Sequence, residues 1–154
     1  MVDGVGTDVD VILERAAARG RHAGLPYRGA VTPREAFDLM QAGAAKLVDV
    51  RSQFEWDYVG HIPGTTLVEW KFLPSGELNP NFLTQLALVG RHEDNLMFLC
   101  RSGARSHAAA VCANQFGYVG AFNVLEGFEG DLDASKHRGA IGGWRFAGLP
   151  WVQG

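Results

Sequence analysis

Leu96-Met97-Phe98-Leu99-Cys100-Arg101-Ser102-Gly103-Ala104-Arg105-Ser106 is the stretch on which the fold of this chain turns. Its four consecutive apolar residues have the form of a buried parallel strand, which is covered on both faces and so shows no alternation. The run passes straight into a short polar turn. From Ala104 to Phe116 the chain is then alanine-rich and helix-forming, with Gly117 as its stop. A strand that becomes a helix within a few residues is the unit of α/β architecture. The turn lies at the carboxyl end of the strand and the amino end of the helix, where an open parallel sheet binds its ligands.

The same unit recurs outward in both directions. Leu47-Val48-Asp49-Val50 reads as a second buried strand, and Ser52-Gln53-Phe54-Glu55 is a capping box that opens a helix directly after it. Before it, Thr32-Pro33-Arg34-Glu35 is another capping box, with proline at the first helical position, for a helix running to about Gln41 and stopped at Gly43. Gly60-His61-Ile62-Pro63-Gly64 is a tight connection to a strand from Thr66 to Glu69. Asn79-Pro80 caps a helix to about Val89, and Phe122-Asn123-Val124-Leu125 supplies a further strand. Residues 7 to 20 read as a helix with Thr7 or Asp8 as N-cap and Gly20 as stop, an appendage joined by a loop containing Gly24, Pro26 and Gly29. The tail from Gly127 is glycine-rich and irregular, with Trp144, Phe146 and Trp151 expected to pin it to the domain. This alternation predicts an α/β domain with a mostly parallel sheet and helices on both faces.

Composition sets outer limits. The chain has 154 residues, 47% hydrophobic and 20% charged, which suits one soluble domain. Its 20 glycines, about 13% against roughly 7% in an average protein, are aperiodic and come with only 6 prolines, so they point to many tight turns rather than to a fibre. A net charge of -3 argues against a nucleic-acid partner. No apolar run approaches the roughly 20 residues of a membrane span. Met1-Val2-Asp3-Gly4 lacks the basic and apolar regions of a secretory leader, so a cytoplasmic location is expected. Cys100 and Cys112 are too few for a disulfide scaffold and have no zinc-ligand spacing; no metal is expected.

Cys100 stands where backbone N–H groups converge and a helix dipole adds partial positive charge. Arg101 and Arg105 are the only formally charged residues between Met97 and Leu125. That setting favours the thiolate, the nucleophilic form of cysteine. The plainer reading is a small buried hydrophobe. It leaves two arginines, a serine and a glycine within five residues without a role. Cys112, mid-helix among Ala108, Ala109, Val111 and Ala113, reads as packing.

Cys100-Arg101-Ser102-Gly103-Ala104-Arg105-Ser106 resembles the active-site loop of rhodanese-type sulfurtransferases. Asp49-Val50-Arg51 with Glu55, then Gly60-His61-Ile62-Pro63-Gly64, Gly117-Tyr118, Val124-Leu125-Glu126-Gly127 and Ala147-Gly148-Leu149-Pro150-Trp151 are similar to that family's landmarks, in its order. The resemblance covers roughly residues 30 to 152 and divides the chain into an N-terminal helical extension, 1–29, and a rhodanese-like domain, 30–152. It implies a three-layer fold around a central sheet of about five strands. It further implies a thiosulfate sulfurtransferase in which Cys100 takes a sulfane sulfur as a persulfide and passes it to cyanide or a thiol. In that reading the loop amides from Arg101 to Arg105 stabilise the persulfide, and Arg101 and Arg105 bind a dianionic donor. Gly103 makes the tight turn, and Ser102, Ala104 and Ser106 complete the substrate-binding loop. No metal or organic cofactor is implied. Partners would be small sulfur donors and acceptors, or a protein that supplies or takes the sulfur.

Other roles divide. Asp49 and Arg51 either brace the loop or, for Arg51, form a structural ion pair with Glu55. His61 reads as a turn residue, and His107 either adds positive charge to the loop or is a solvated helix residue. Gly127-Phe128 stands where the family commonly has a glycine pair, and Thr65 where alanine is usual. Two rival classes are a phosphatase or arsenate reductase on a related fold and a partner-binding or sulfur-carrier module. The phosphatase type separates cysteine and arginine by five residues, whereas four separate Cys100 and Arg105 here.

Overall fold

The apolar runs of the sequence become strands of a single sheet in a computed structural model that describes residues 4–153. Met1, Val2 and Asp3, from which the absence of a leader was read, lie outside the described residues. In chain order the elements are α1 (Gly4–Ala23), β1 (Gly29–Val31), α2 (Pro33–Gln41), β2 (Lys46–Asp49), α3 (Gln53–Tyr58), β3 (Thr66–Leu67), α4 (Phe82–Leu86), β4 (Asn95–Leu99), α5 (Ala104–Gln115) and β5 (Gly120–Val124). The five strands are all parallel, in the order β1-β5-β4-β2-β3.

Period-two alternation sorts the strand residues onto two faces even though both are buried. Leu47, Met97, Leu99, Phe122 and Val124 face one core with Ile12 and Ala16 of α1, Ala36 and Leu39 of α2, and Phe128 and Trp144 of the tail. Val48, Leu96, Phe98 and Ala121 face the other with Phe82 and Leu86 of α4 and Ala109, Ala110 and Ala113 of α5. Each fully buried leucine, valine or phenylalanine in these layers contributes roughly 1.5–3 kcal/mol.

Local sequence chemistry explains most helix starts. The Thr32 and Ser52 hydroxyls accept from the Glu35 and Glu55 N–H groups, and both glutamates bond back, completing the two predicted capping boxes. α4 departs from expectation. Asn79 uses Oδ1 to accept from the Asn81 N–H at 3.0 Å, forming a turn, so the helix starts only at Phe82. β3 is also shorter than the predicted 66–69, although Val68 and Trp70 still donate to Asp49 and Val50 of the neighbouring segment.

The N-terminal region is the largest correction. The helix begins before Thr7 and Asp8, so neither is its first residue, and it runs through Gly20 to Ala23. Gly29, read as loop, opens β1. A Cβ on Gly20 would lie 2.5 Å from the Arg28 carbonyl oxygen, and one on Gly29 would lie 2.2 Å from that of Ala16. These glycines let α1 lie directly on β1; they mark close approach, not helix termination. The helix is therefore no appendage: Ala16 and Ala17 are buried, and Arg15 and Arg19 reach Glu35 at 2.7 Å each. Burial opposes the Glu35 charge, but bonds from Arg19, the Thr32 N–H and Arg15 outweigh it and bring the carboxyl down to about 2.

The tail is pinned by Trp144 and by the contact of Trp151 with Phe128, whereas Phe146, expected to share that role, is exposed. Trp144 and Phe128 are fully buried, the Trp144 Nε1 donates to the Pro150 carbonyl at 2.8 Å, and Val152 pairs antiparallel with His61. Among the described residues no helix is long and apolar enough to cross a membrane.

Candidate active site

β4 delivers Cys100 to the end of the sheet, and α5 begins four residues later. Gly103 bridges them in the left-handed region, with φ +119°, a conformation that side chains disfavour. Its N–H donates to the Cys100 Sγ at 3.1 Å. It is the loop amide that bonds the sulfur; the wider set expected from Arg101 to Arg105 is not gathered on this atom. Cys100 is only 1% exposed, under a loop in which Arg101 and Ala104 are exposed and Ser102 and Gly103 half-buried.

The two loop arginines differ in kind, which corrects their expected equivalence. Arg105 donates to both Glu55 oxygens, at 2.7 and 2.8 Å, so a counter-ion already occupies it. Burial alone would lower its basicity, but the bonds and charge of Glu55, with smaller help from Cys100 and Asp49, raise it overall. Glu55 shows the mirror image: burial works against its charge, and Arg105 and Ser52 more than offset this, holding the carboxyl at about 2. Arg101 makes no side-chain hydrogen bond or ion pair among the described residues and carries the free positive charge of the loop.

Arg51 does not pair with Glu55. Its guanidinium is fully buried and turns back on Asp49 at 2.7 Å, donates to the Gly60 carbonyl at 2.7 Å and lies 4.4 Å from the centroid of the Phe128 ring. The capping box explains the exchange of partners, because it turns Glu55 over Ser52 and toward α5. Asp49 and Arg51 thus brace the connection that ends at Gly60. Arg51 Nη1 is buried and has no hydrogen-bond partner among the described residues.

The tail closes the outer side of the loop. Phe128 donates its N–H to the Cys100 carbonyl at 2.8 Å, and Glu129 to that of Arg101 at 2.9 Å. Gly127, at φ +64°, makes this possible: a Cβ there would stand 2.5 Å from the Arg101 carbonyl carbon. Phe128, in place of a second glycine, supplies the ring under Arg51. Thr65, in place of alanine, leaves its buried hydroxyl without a partner.

Ser106 is buried, with Oγ 3.2 Å from Cys100 Sγ and 2.6 Å from Asn123 Oδ1. His107 is not simply solvated: its Nδ1 is 2.6 Å from the Tyr27 hydroxyl. His61 stacks on Trp56 at 4.2 Å, with Nδ1 3.3 Å from the Trp56 carbonyl, as suits a turn residue. Cys112 is half-buried in the second core, and burial pushes its thiol up. Tyr27 and Asn123 were missed. Asn123 had a signal, a polar residue in an apolar strand; Tyr27, in the loop before β1, had none. Among the described residues, no group of three or more His, Cys, Asp or Glu side chains is placed to hold a metal ion.

Residues 32–134 match the family model for the rhodanese-like domain, and the chain belongs to that family. The crystal structure of Rv0390 from M. tuberculosis is similar, with a TM-score of 0.75 and 45% identity over 83% of this chain and 99% of that one. The uncharacterized protein RP600 of Rickettsia prowazekii is 38% identical over 109 residues, 70% of this chain and 82% of its own. The human single-domain sulfurtransferase TSTD1 matches with a TM-score of 0.50 and 30% identity, over 64% of this chain and 90% of its own. The five-stranded parallel sheet with helices on both faces matches the fold of the similar solved structures.

Proposed function

We propose that this protein is a cytoplasmic sulfurtransferase that carries a sulfane sulfur on Cys100, with thiosulfate as donor and cyanide or a thiol as acceptor. The observation that carries this reading is a cysteine at a strand-to-helix junction whose sulfur accepts from the Gly103 N–H, in a loop where the exposed Arg101 has no ion-pair partner among the described residues. A human sulfurtransferase among the similar structures, 30% identical, supports it.

In the first half-reaction the Cys100 thiolate attacks the outer sulfur of thiosulfate. An S–S bond forms to Cys100, the bond to the sulfonate sulfur breaks with its electron pair, and sulfite leaves. In the second, cyanide or a thiolate attacks the terminal sulfur of the persulfide, forming thiocyanate or a new persulfide and returning the Cys100 thiolate. Gly103 donates to the Cys100 sulfur, and the positive end of α5 favours negative charge on that sulfur as the reaction proceeds. Arg101 attracts the anionic donor. Arg105, held by Glu55, keeps the loop in shape rather than binding the donor directly. A protein that supplies or accepts the sulfur is an alternative to the small molecules, because the same terminal sulfur is transferred.

The phosphatase reading is weaker. A phosphatase loop needs its arginine for the oxyanion, whereas Arg105 already makes two bonds to Glu55.

Intact-protein mass spectrometry after incubation with thiosulfate tests the proposal. One added sulfur atom is expected, lost in Cys100→Ser and retained in Cys112→Ser. No adduct on the unaltered protein overturns the reading, and rapid hydrolysis of an aryl phosphate would favour the phosphatase instead.

A further inference from the structure

β5 carries one polar side chain, Asn123, into the buried end of the sheet. Parallel register sets it beside Phe98, two residues before Cys100 on the neighbouring strand, and so on the face that α5 covers. Cys100, Ser106 and Asn123 are 1%, 0% and 7% exposed, so these groups must satisfy one another. Asn123 Nδ2 donates to the Gly103 carbonyl at 3.3 Å, and because a carbonyl only accepts, this fixes which end of the amide is which. Oδ1 is left for Ser106, whose Oγ lies 2.6 Å away. The same Oγ stands 3.2 Å from Cys100 Sγ. A hydroxyl has one proton and Oδ1 has none. Ser106 therefore donates to Asn123 and turns a lone pair to the sulfur, where it accepts from a thiol S–H.

Ionisation of Cys100 sends the thiol proton to solvent and upsets this arrangement. If Ser106 keeps donating to Asn123, its lone pair faces a negative sulfur. If it turns its proton to the sulfur, Oδ1 is buried without a donor, which is costly. Both outcomes make the thiolate less favourable than it would be without Oδ1. The other end of the amide matters less, because the Gly103 carbonyl also accepts from the His107 N–H at 3.1 Å, which keeps the Gly103 peptide in place.

We propose that Asn123 is a positioning residue that sets the ionisation of Cys100 by competing with its sulfur for the single Ser106 proton. It makes no hydrogen bond to the sulfur and acts through Ser106. The competition also separates the two states of the reaction. In the persulfide the negative charge sits on the outer sulfur and Sγ has neither proton nor formal charge, so Ser106 stays on Asn123 without facing an anion. The penalty falls on the free thiolate and favours keeping the sulfur loaded. The other ionisable side chains around the loop have partners of their own: Asp49 with Arg51, Glu55 with Arg105, Glu129 with Arg145, Glu126 with the Gly143 N–H, and Tyr27 with His107. These, and Arg101, are common to every variant compared below.

The proposal rests on Cys100 as nucleophile and not on the identity of the donor. It is tested by titrating the Cys100 thiolate through its ultraviolet absorbance with no sulfur donor present, in a Cys112→Ser background with matching Cys100→Ser proteins as baselines. Asn123→Leu keeps the shape of the side chain, removes Oδ1 and frees the Ser106 proton. It should lower the midpoint by about one pH unit, the effect of one hydrogen bond to an anion. Adding Ser106→Ala to Asn123→Leu should bring the midpoint back up by about as much, whereas Ser106→Ala with Asn123 in place should raise it by less than half that or lower it. Asn123→Asp retains an acceptor for Ser106 and should not lower it. An Asn123→Leu midpoint that rises, or stays within about 0.2 unit of the parent, overturns the proposal, as does an equal Ser106→Ala shift in the two backgrounds. A structural role alone would loosen the Gly103 N–H on the sulfur and move the midpoint up instead of down. The expected shifts without a thiosulfate adduct would keep the competition and sink the donor assignment, and an adduct with an unmoved midpoint would do the reverse. Should Asn123→Leu fail to fold, Asn123→Val, suited to a central strand, is read by the same criteria.

Discussion

Replacing Glu55 by glutamine keeps its size and removes the charge that holds Arg105. The ion pair is well enclosed, with side-chain exposures of 9% for Glu55 and 15% for Arg105. The carboxyl moves from an ordinary 4.5 to about 2, roughly 2.5 units, equivalent to about 3 kcal/mol at about 1.4 kcal/mol per unit. Loss of one partner from a buried pair costs about 3–5 kcal/mol in general, which agrees. Urea unfolding at neutral pH should therefore show a midpoint lower by about 1.5–2 M for a slope of about 1.5–2 kcal/mol per M. The pH dependence gives a sharper check. Because the folded-state value lies below the unfolded one, the stabilisation is complete above about 4.5 and is lost as pH falls toward 2. The stability gap between parent and Glu55→Gln should narrow over that window, while the separate loss from Glu35 affects both proteins alike. A gap below about 1 kcal/mol at pH 7, or one that stays constant down to pH 3, would refute the buried-pair account.

Two further outcomes follow from the geometry of the loop. Arg101→Ala should raise the KM for thiosulfate about tenfold, the worth of one charge-assisted contact, while urea stability stays within about 0.5 kcal/mol of the parent; an unchanged KM would exclude Arg101 from donor binding. Gly127→Ala combines a left-handed backbone, φ +64°, with a Cβ 2.5 Å from the Arg101 carbonyl carbon. It should cost about 2–4 kcal/mol in urea unfolding, and a loss under about 1 kcal/mol would show that the tail does not need to approach the loop so closely.

Legibility from sequence followed the range of the interactions. The capping boxes at Thr32 and Ser52 depend on residues three apart and were readable, as were the apolar runs of β2, β4 and β5. β1 was not, because three residues, Gly29, Ala30 and Val31, carry too little pattern to set them apart from a loop. Gly20 misled for a related reason: a glycine spared for close approach looks the same as one that ends a helix, and only the Arg28 carbonyl facing it separates the two. Asn79 misled because an Asx turn and an N-cap use the same residue type.

The site divides in the same way. Cys100, Gly103 and the junction they occupy are contiguous, so the sequence alone located the proposed nucleophile, the tight turn and the α/β frame that presents them. Pairings across long separations were beyond it. Arg105 finds Glu55 fifty residues earlier, Ser106 finds Asn123 and His107 finds Tyr27, and each pairing exists because parallel strands set side by side bring distant segments to one end of the sheet. Spacing could show two arginines flanking a cysteine, but charge acts through space. Only the tertiary structure decided that one is neutralised by its partner and the other left without one among the described residues.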